Sequence, residues 1–171
     1  DEDSKCGTGT ETWPDGASYQ GEFCNGYKHG AGIYRGTGAE YEGQFADDKM
    51  HGQGCYKFAT GRKYYGSWVE GHMQGHGRME WPNGALYEGD YLKDLKHGHG
   101  TFTRPDGRSY CGEWSAGKQH GRGIENDGKG NFEEQIWEHG EFVSSEPLSP
   151  HTAAARLAAG EDGSDTDDEV F

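Results

Sequence analysis

The sequence predicts an all-β chain, an elongated single-layer antiparallel meander of repeated β-hairpins, and three observations carry that expectation. Tyrosines followed by x-Gly-x-aromatic return at Tyr19, Tyr41, Tyr64, Tyr87 and Tyr110, at spacings of 22, 23, 23 and 23 residues. Only 30% of the 171 residues are hydrophobic while 31 are glycine and 22 aromatic, too little aliphatic material for a two-layer core and too many rings for a disordered chain. Within each repeat the pattern alternates with period two between turn signals, as a half-buried strand does.

The elements follow in order. Residues 1–5 form an acidic N-terminal end, and the repeat array is placed at 6–142. Cys6-Gly7-Thr8-Gly9 and Trp13-Pro14-Asp15-Gly16 are the remains of a partial repeat. Full repeats span 19–40, 41–63, 64–86, 87–109 and 110–132. In each, a first strand such as Tyr87, Gly89, Tyr91 against Glu88, Asp90 leads to a loop of about four to five residues holding Gly or Asp (Gly26, Asp48, Gly71, Asp94, Gly117). A second strand opens on His/Gln-Gly-x-Gly, as in His51-Gly52-Gln53-Gly54 and His97-Gly98-His99-Gly100. Pro82-Asn83-Gly84 and Pro105-Asp106-Gly107 then turn the chain, proline presetting φ and glycine taking the positive-φ corner. The first and fifth repeats are each one residue short before this turn. Large rings lying over the backbone of a neighbouring glycine shield themselves, which explains why the two residue types occur together. After residue 131 the pattern decays: Trp137 and Gly140 keep the register, but Glu133 and Gln135 replace the expected Tyr and Gly, as befits a terminal repeat.

Tyr-x-Gly-x-Phe/Trp, then Gly/Asp, then His-Gly-x-Gly at this pitch resembles the MORN repeat over about residues 6–142. The resemblance implies an antiparallel hairpin array with an aromatic-lined groove, in a family used as scaffolds in ciliary radial spokes, apicomplexan cytoskeletal structures and membrane junctions, and as appendages to lipid kinases and a lysine methyltransferase. Stretches such as Asp94-Leu95-Lys96-His97-Gly98 are most similar to radial-spoke-head proteins. The expected function is therefore a non-enzymatic protein–protein interaction scaffold. Its groove would bind a helical or extended segment of a cytoskeletal or ciliary partner, in the cytoplasm and in association with cytoskeleton or cilium. The alternative is a peripheral anionic-lipid-binding module linking membrane to cytoskeleton. Self-association through the two unpaired sheet edges is a third reading.

Charge bears on these readings. The net charge is −14, but residues 19–131 carry 14 basic and 14 acidic side chains, so the acidity sits at the two ends. A neutral array disfavours nucleic acid and makes membrane binding the weaker reading, although Arg62-Lys63 is a local basic pair. No run reaches the ~20 apolar residues of a membrane span and no signal peptide is visible; the chain opens at Asp1 without methionine, as a trimmed chain would. Cys6, Cys24, Cys55 and Cys111 lie far apart with no Cys-x-x-Cys, so free thiols in a reducing compartment are expected, with Cys111 exposed.

No catalytic, cofactor or metal residues are expected. His29, His51, His97 and His120 recur once per repeat, about 10 Å apart by strand spacing, too far to share one zinc ion. No G-x-S-x-G or Walker-type run occurs. The candidate partner-binding residues are the rings and the methionine of the groove: Trp13, Tyr34, Phe58, Met79, Trp81 and Phe102, with Phe45, Trp68, Tyr91 and Trp114 beside them. Residues 143–171 read as an acidic, Ser/Ala-rich tail with a helix over 150–159 that ends at Gly160, either packed over the last strand as a cap or loose in solvent. Ser149, Ser164 and Thr166 are its candidate phosphorylation sites.

Overall fold

Alternation between polar and ring-bearing positions gives thirteen strands in the computed structural model, which describes residues 7–160. They are β1 (Gly7–Thr12), β2 (Ser18–Cys24), β3 (Tyr27–Gly36), β4 (Ala39–Ala46), β5 (Lys49–Lys57), β6 (Lys63–Val69), β7 (His72–Glu80), β8 (Leu86–Leu92), β9 (Leu95–Thr103), β10 (Ser109–Ser115), β11 (Lys118–Asn126), β12 (Phe132–Glu138) and β13 (Glu141–Leu148). A single helix, α1 (Pro150–Ala159), follows. The strands form one open antiparallel sheet in sequence order. The chain divides into two compact units, residues 1–95 and 96–171. The acidic end 1–5, Cys6, Ser164 and Thr166 lie outside the described residues.

A ladder of rings on bare backbone is the core of each unit. Register sets Gly21 opposite Gly32, Gly43 opposite Gly54, and Gly66 opposite Gly77 in the first unit, and Gly112 opposite Gly123 in the second. The tyrosine two residues before each pair lies across both glycines: a methyl group on Gly32, Gly54, Gly77 or Gly123 would overlap the ring of Tyr19, Tyr41, Tyr64 or Tyr110. These rings, with Tyr87, are sealed at 0–2% exposure. Each hydroxyl donates to the carbonyl three residues on, from Tyr19 to Glu22 (2.8 Å), Tyr41 to Gln44 (2.8 Å), Tyr64 to Ser67 (3.0 Å) and Tyr87 to Asp90 (3.0 Å). The buried phenols therefore leave no donor unmet.

A second ring, four residues further, stands edge-on between successive tyrosines. Phe45 meets Tyr19 and Tyr41 at 5.1 and 5.0 Å, Trp68 meets Tyr41 and Tyr64 at 5.5 and 5.2 Å, and Tyr91 meets Tyr64 and Tyr87 at 5.2 and 5.3 Å, all near 85°. In the second unit Trp114 and Trp137 flank Tyr110 in the same way, at 5.5 and 6.4 Å. Edge-to-face pairs contribute about 0.5–1.5 kcal/mol each beyond the area they bury. A layer one strand thick therefore stands without an aliphatic interior.

The loops after the first strand of each hairpin are shorter than the sequence reading of four to five residues. They are two-residue turns: Asn25-Gly26, Asp47-Asp48, Glu70-Gly71, Lys93-Asp94, Ala116-Gly117 and His139-Gly140 all have positive φ at both positions. That is the turn whose twist matches the flanking strands, and it lets pairing run to the tip. Successive tips are stitched together, as Gly71 N donates to Met50 O (2.8 Å) and Gly117 N to Lys96 O (2.9 Å). Where the slot is aspartate its carboxylate adds a bond, from Lys28 N to Asp48 (2.7 Å) and from Met73 N to Asp94 (2.8 Å).

His-Gly-x-Gly is a bulge, and each of its residues has a task. The first glycine takes a left-handed φ (Gly30 58°, Gly52 72°, Gly121 59°) where the register slips. The amide freed by the slip is met by the side chain three residues after the tyrosine: Ala31 N donates to Glu22 (3.0 Å), Gln53 N to Gln44 (2.8 Å) and Arg122 N to Glu113 (2.9 Å). The second glycine lies under the tyrosine. His51 and His120 accept, through Nδ1, the turn amides of Glu70 (3.4 Å) and His139 (3.2 Å). The two short repeats resolve differently: the first makes a two-residue turn at Thr37-Gly38, and the fifth a loop tied by Asp127 N to Asn131 O (3.1 Å).

The sheet also runs past the expected array end at 142. β13 pairs with β12 through Leu148, placing Pro147 on an edge strand, where a missing amide is tolerated. Helix α1 opens on Ser149, whose hydroxyl accepts from Thr152 N (3.1 Å), and closes on left-handed Gly160. Arg156 Nη1 donates to Glu134 Oε1 on β12 at 2.6 Å, and Ala153 is fully buried. No helix among the described residues is long and apolar enough to cross a membrane.

Candidate partner-binding surface

Beyond each ladder tyrosine two more ring positions lie on the same face, because residues directly opposite in an antiparallel pair share a side. Tyr34 stands opposite Tyr19 and Tyr41, Tyr56 opposite Tyr41 and Tyr64, and Met79 opposite Tyr64 and Tyr87. Phe58 and Trp81 follow two residues later, at the turns. Trp13, Tyr34, Phe58 and Trp81 are half-buried in the first unit, as is Phe102 in the second. Trp13 and Tyr34 lie 6.1 Å apart, and Arg62 stacks over Phe58 at 4.5 Å.

The other five expected groove residues are corrected by their burial. Phe45, Trp68, Tyr91 and Trp114 are the edge-on members of the ladder, and Met79 fills the space between Tyr64 and Tyr87; all five are at most 7% exposed. They hold the sheet and present no open surface. Tyr56, which the sequence places in the slot of Tyr34, is not among the expected groove residues. It is half-buried, packs 4.6 Å from Phe58, and shares its slot with Tyr34, which is the signal that could have found it.

In the second unit Phe102 keeps a ring in the slot of Met79, but charge enters beside it. Arg104 takes the position of Trp81, and Glu125 that of Met79. Their side chains meet at 3.1 Å, Nη1 to Oε1. Burial pushes the Glu125 carboxyl above its usual range against the pull of Arg104, and its Oε2 is buried without a hydrogen-bond partner. Lys96 lies over the rings of Phe102 (4.5 Å) and Trp114 (4.6 Å), and its burial brings the amine down to about 8.

The opposite face is polar. Glu40 bridges Arg35 (2.7 Å) and Lys57 (2.8 Å), and those donors, Lys57 first, hold its carboxyl below the ordinary value. Cys24, Cys55 and Cys111 are free; Cys111, expected to be exposed, is half-buried opposite Ile124 and Thr101. Burial raises the Cys55 thiol, which makes it a poor nucleophile. Ser149 is exposed at the start of α1. Among the described residues no cluster of His, Cys, Asp or Glu is placed to hold a metal ion.

The solved structure of the SAS-4 (dCPAP) TCP domain in complex with a Proline Rich Motif of Ana2 (dSTIL) of Drosophila melanogaster is similar in fold. It has a TM-score of 0.51 at 14% identity, over 84% of each chain. A search of the curated proteins finds no match. The MORN repeat model matches residues 2–18, 19–38, 41–61, 64–86, 87–107 and 110–132, a repeat that serves as a non-catalytic interaction module. Six matches across most of the sequence, five of them opening on a ladder tyrosine, establish that this chain belongs to the MORN-repeat family.

Proposed function

We propose that the protein is a non-enzymatic scaffold whose first unit holds an extended segment of a partner protein along Trp13, Tyr34, Tyr56, Phe58 and Trp81. One observation carries this reading: these rings stay half-exposed although the ladder beside them is sealed. Aromatic faces set on neighbouring strands suit a polyproline-like chain, whose rings stack between them at little entropic cost. The proline-rich motif bound by the structural neighbour supports an extended ligand. The neutral array of residues 19–131 favours protein over anionic membrane. The family's scaffolding use points to a cytoskeletal or ciliary partner, met in the cytoplasm.

Affinity capture from ciliated-cell extract, compared with a Phe58→Ala/Trp81→Ala double variant, tests the assignment. Partners lost by the variant support it. Partners retained at full strength, or strong retention on anionic vesicles at physiological salt, overturn it.

A further inference from the structure

The polar face repeats as regularly as the aromatic one, and one of its rows is occupied. In the second unit Cys111, Ile124 and Glu134 stand opposite one another on adjacent strands. Helix α1 is tied to that row through Arg156 and Glu134, with Ala153 at 0% and Ile124 at 8% exposure. The same repeat positions in the first unit are Tyr65, Arg78 and Glu88, again directly opposite one another. There they line an open cleft of about 350 Å³ with Gln53, Ser67 and His76, and Tyr65 is 41% exposed.

The cleft is wide enough for a helix of α1's length and keeps the acidic position of the occupied row, although Arg78 stands where that row has Ile124. Its lining spans four strands, about 14 Å across, and a ten-residue helix such as α1 is about 15 Å long. Glu88 occupies the place of Glu134. Arg78 is turned to Glu80 (2.9 Å), and His76 stands 4.0 Å from Glu88 and 3.6 Å from Asp90, so the cleft keeps a carboxylate for an incoming cation. Within the chain α1 is already placed, and its one arginine is used on Glu134.

We propose that this cleft is a second docking site, which takes a short helix of a partner protein with small side chains toward Tyr65 and a basic side chain toward Glu88. It lies on the face opposite the aromatic rim and does not depend on the rim's ligand.

The probe is a synthetic peptide of residues 149–160, titrated into the isotope-labelled full chain and followed by amide chemical shifts. Saturable shifts at Tyr65, Ser67, His76, Arg78 and Glu88 are expected. Glu88→Lys should weaken them about tenfold, the size of a part-buried ion pair turned repulsive. A peptide carrying Arg156→Glu should restore binding to that variant, which separates lost pairing from misfolding. Phe58→Ala/Trp81→Ala should bind the peptide unchanged, so failure of the rim assignment leaves this result standing. Shifts confined to β11 and β12, shifts indifferent to Glu88→Lys, or none at all would overturn the proposal.

Discussion

In the first unit the two positions beyond a ladder tyrosine hold Tyr56 and Phe58, or Met79 and Trp81; in the second, one repeat holds Phe102 and Arg104, and in the next Glu125 takes the first position and pairs with Arg104 at 3.1 Å. The polar faces differ as well, since α1 is tied to the second unit and a cleft lies open in the first. Both units nonetheless keep the same tyrosine over the same pair of glycines. The ladder positions are those a single-layer sheet cannot vary, whereas rim and polar-face positions vary with little cost to the sheet. The proposed contacts all fall on positions that vary.

The largest effect that would sharpen this contrast is alkaline. Burial raises the phenols of Tyr19, Tyr41, Tyr64, Tyr65, Tyr87 and Tyr91 in the first unit, Tyr41 to about 12, and that of Tyr110, the one tyrosine of the second unit. A phenol whose folded pKa lies above its unfolded value of 10.0 keeps its proton when folded and loses it when unfolded. Stability is therefore complete below pH 10 and falls as pH rises toward the folded value, by about 1.4 kcal/mol per tyrosine per pH unit. Six such groups against one, with the 41% exposed Tyr65 counting least, should make the first unit unfold at lower pH. Tyrosinate absorbance with residue-resolved NMR checks this; simultaneous loss of both units would break the comparison.

Next in size is the ladder itself. Gly77→Ala and Gly123→Ala both drive a methyl into a sealed ring, Tyr64 or Tyr110, and each should cost about 3 kcal/mol or more in urea unfolding. Equal losses mean one construction principle in both units. Tolerance in either would show a ring free to swing away.

Smaller still is the rim exchange. Arg104→Ala should cost about 1 kcal/mol, at the low end for a broken pair because the arginine is 36% exposed and solvent screens it. Arg104→Trp with Glu125→Tyr should be neutral or slightly stabilising, and should give the second unit an aromatic rim of its own. A clear loss on calorimetric melting would mean that the pair holds that unit together.

The repeat pitch, the ring-over-glycine packing and the C-terminal helix were legible because each rests on local residue chemistry repeated many times. Turn length was not: Asp47-Asp48 and Lys93-Asp94 carry little sequence sign of two consecutive left-handed residues, which pairing to the hairpin tip imposes. β13 was hidden for a related reason, because Glu141–Leu148 lacks tyrosine and glycine and is a strand through its pairing with β12. The groove residues divided along a line that alternation cannot draw. Tyr34 and Phe45 face the same way, and only the neighbouring hairpin's tyrosines decide that Phe45 is sealed while Tyr34 is not.

Lys96 offers the smallest effect and the cleanest sign. It shares its slot with Lys28, Met50 and Met73, but the slot's environment differs. Lys28 has Asp48 in the neighbouring tip, with Nζ 3.6 Å from the carboxylate, whereas the tip that reaches Lys96 ends in Gly117. Burial lowers the Lys96 amine from 10.5 to about 8, so below pH 8 the fold carries a desolvated charge, offset in part by the rings of Phe102 and Trp114. Between pH 8 and 10.5 the folded chain sheds a proton that the unfolded chain keeps, and stability rises with pH, opposite in sign to the tyrosines that begin to act above 10. Lys96→Met should abolish that rise and add about 1 kcal/mol at neutral pH, a figure reduced for partial exposure. Gly117→Asp should shrink it differently, by adding at the tip a carboxylate like the one Asp48 brings to Lys28, and the left-handed φ of 83° there is one that Asp48 and Asp94 already adopt in the same slot at 67° and 72°. A rise between pH 8 and 10 that survives both substitutions would assign it to another group and leave the two lysine slots equivalent.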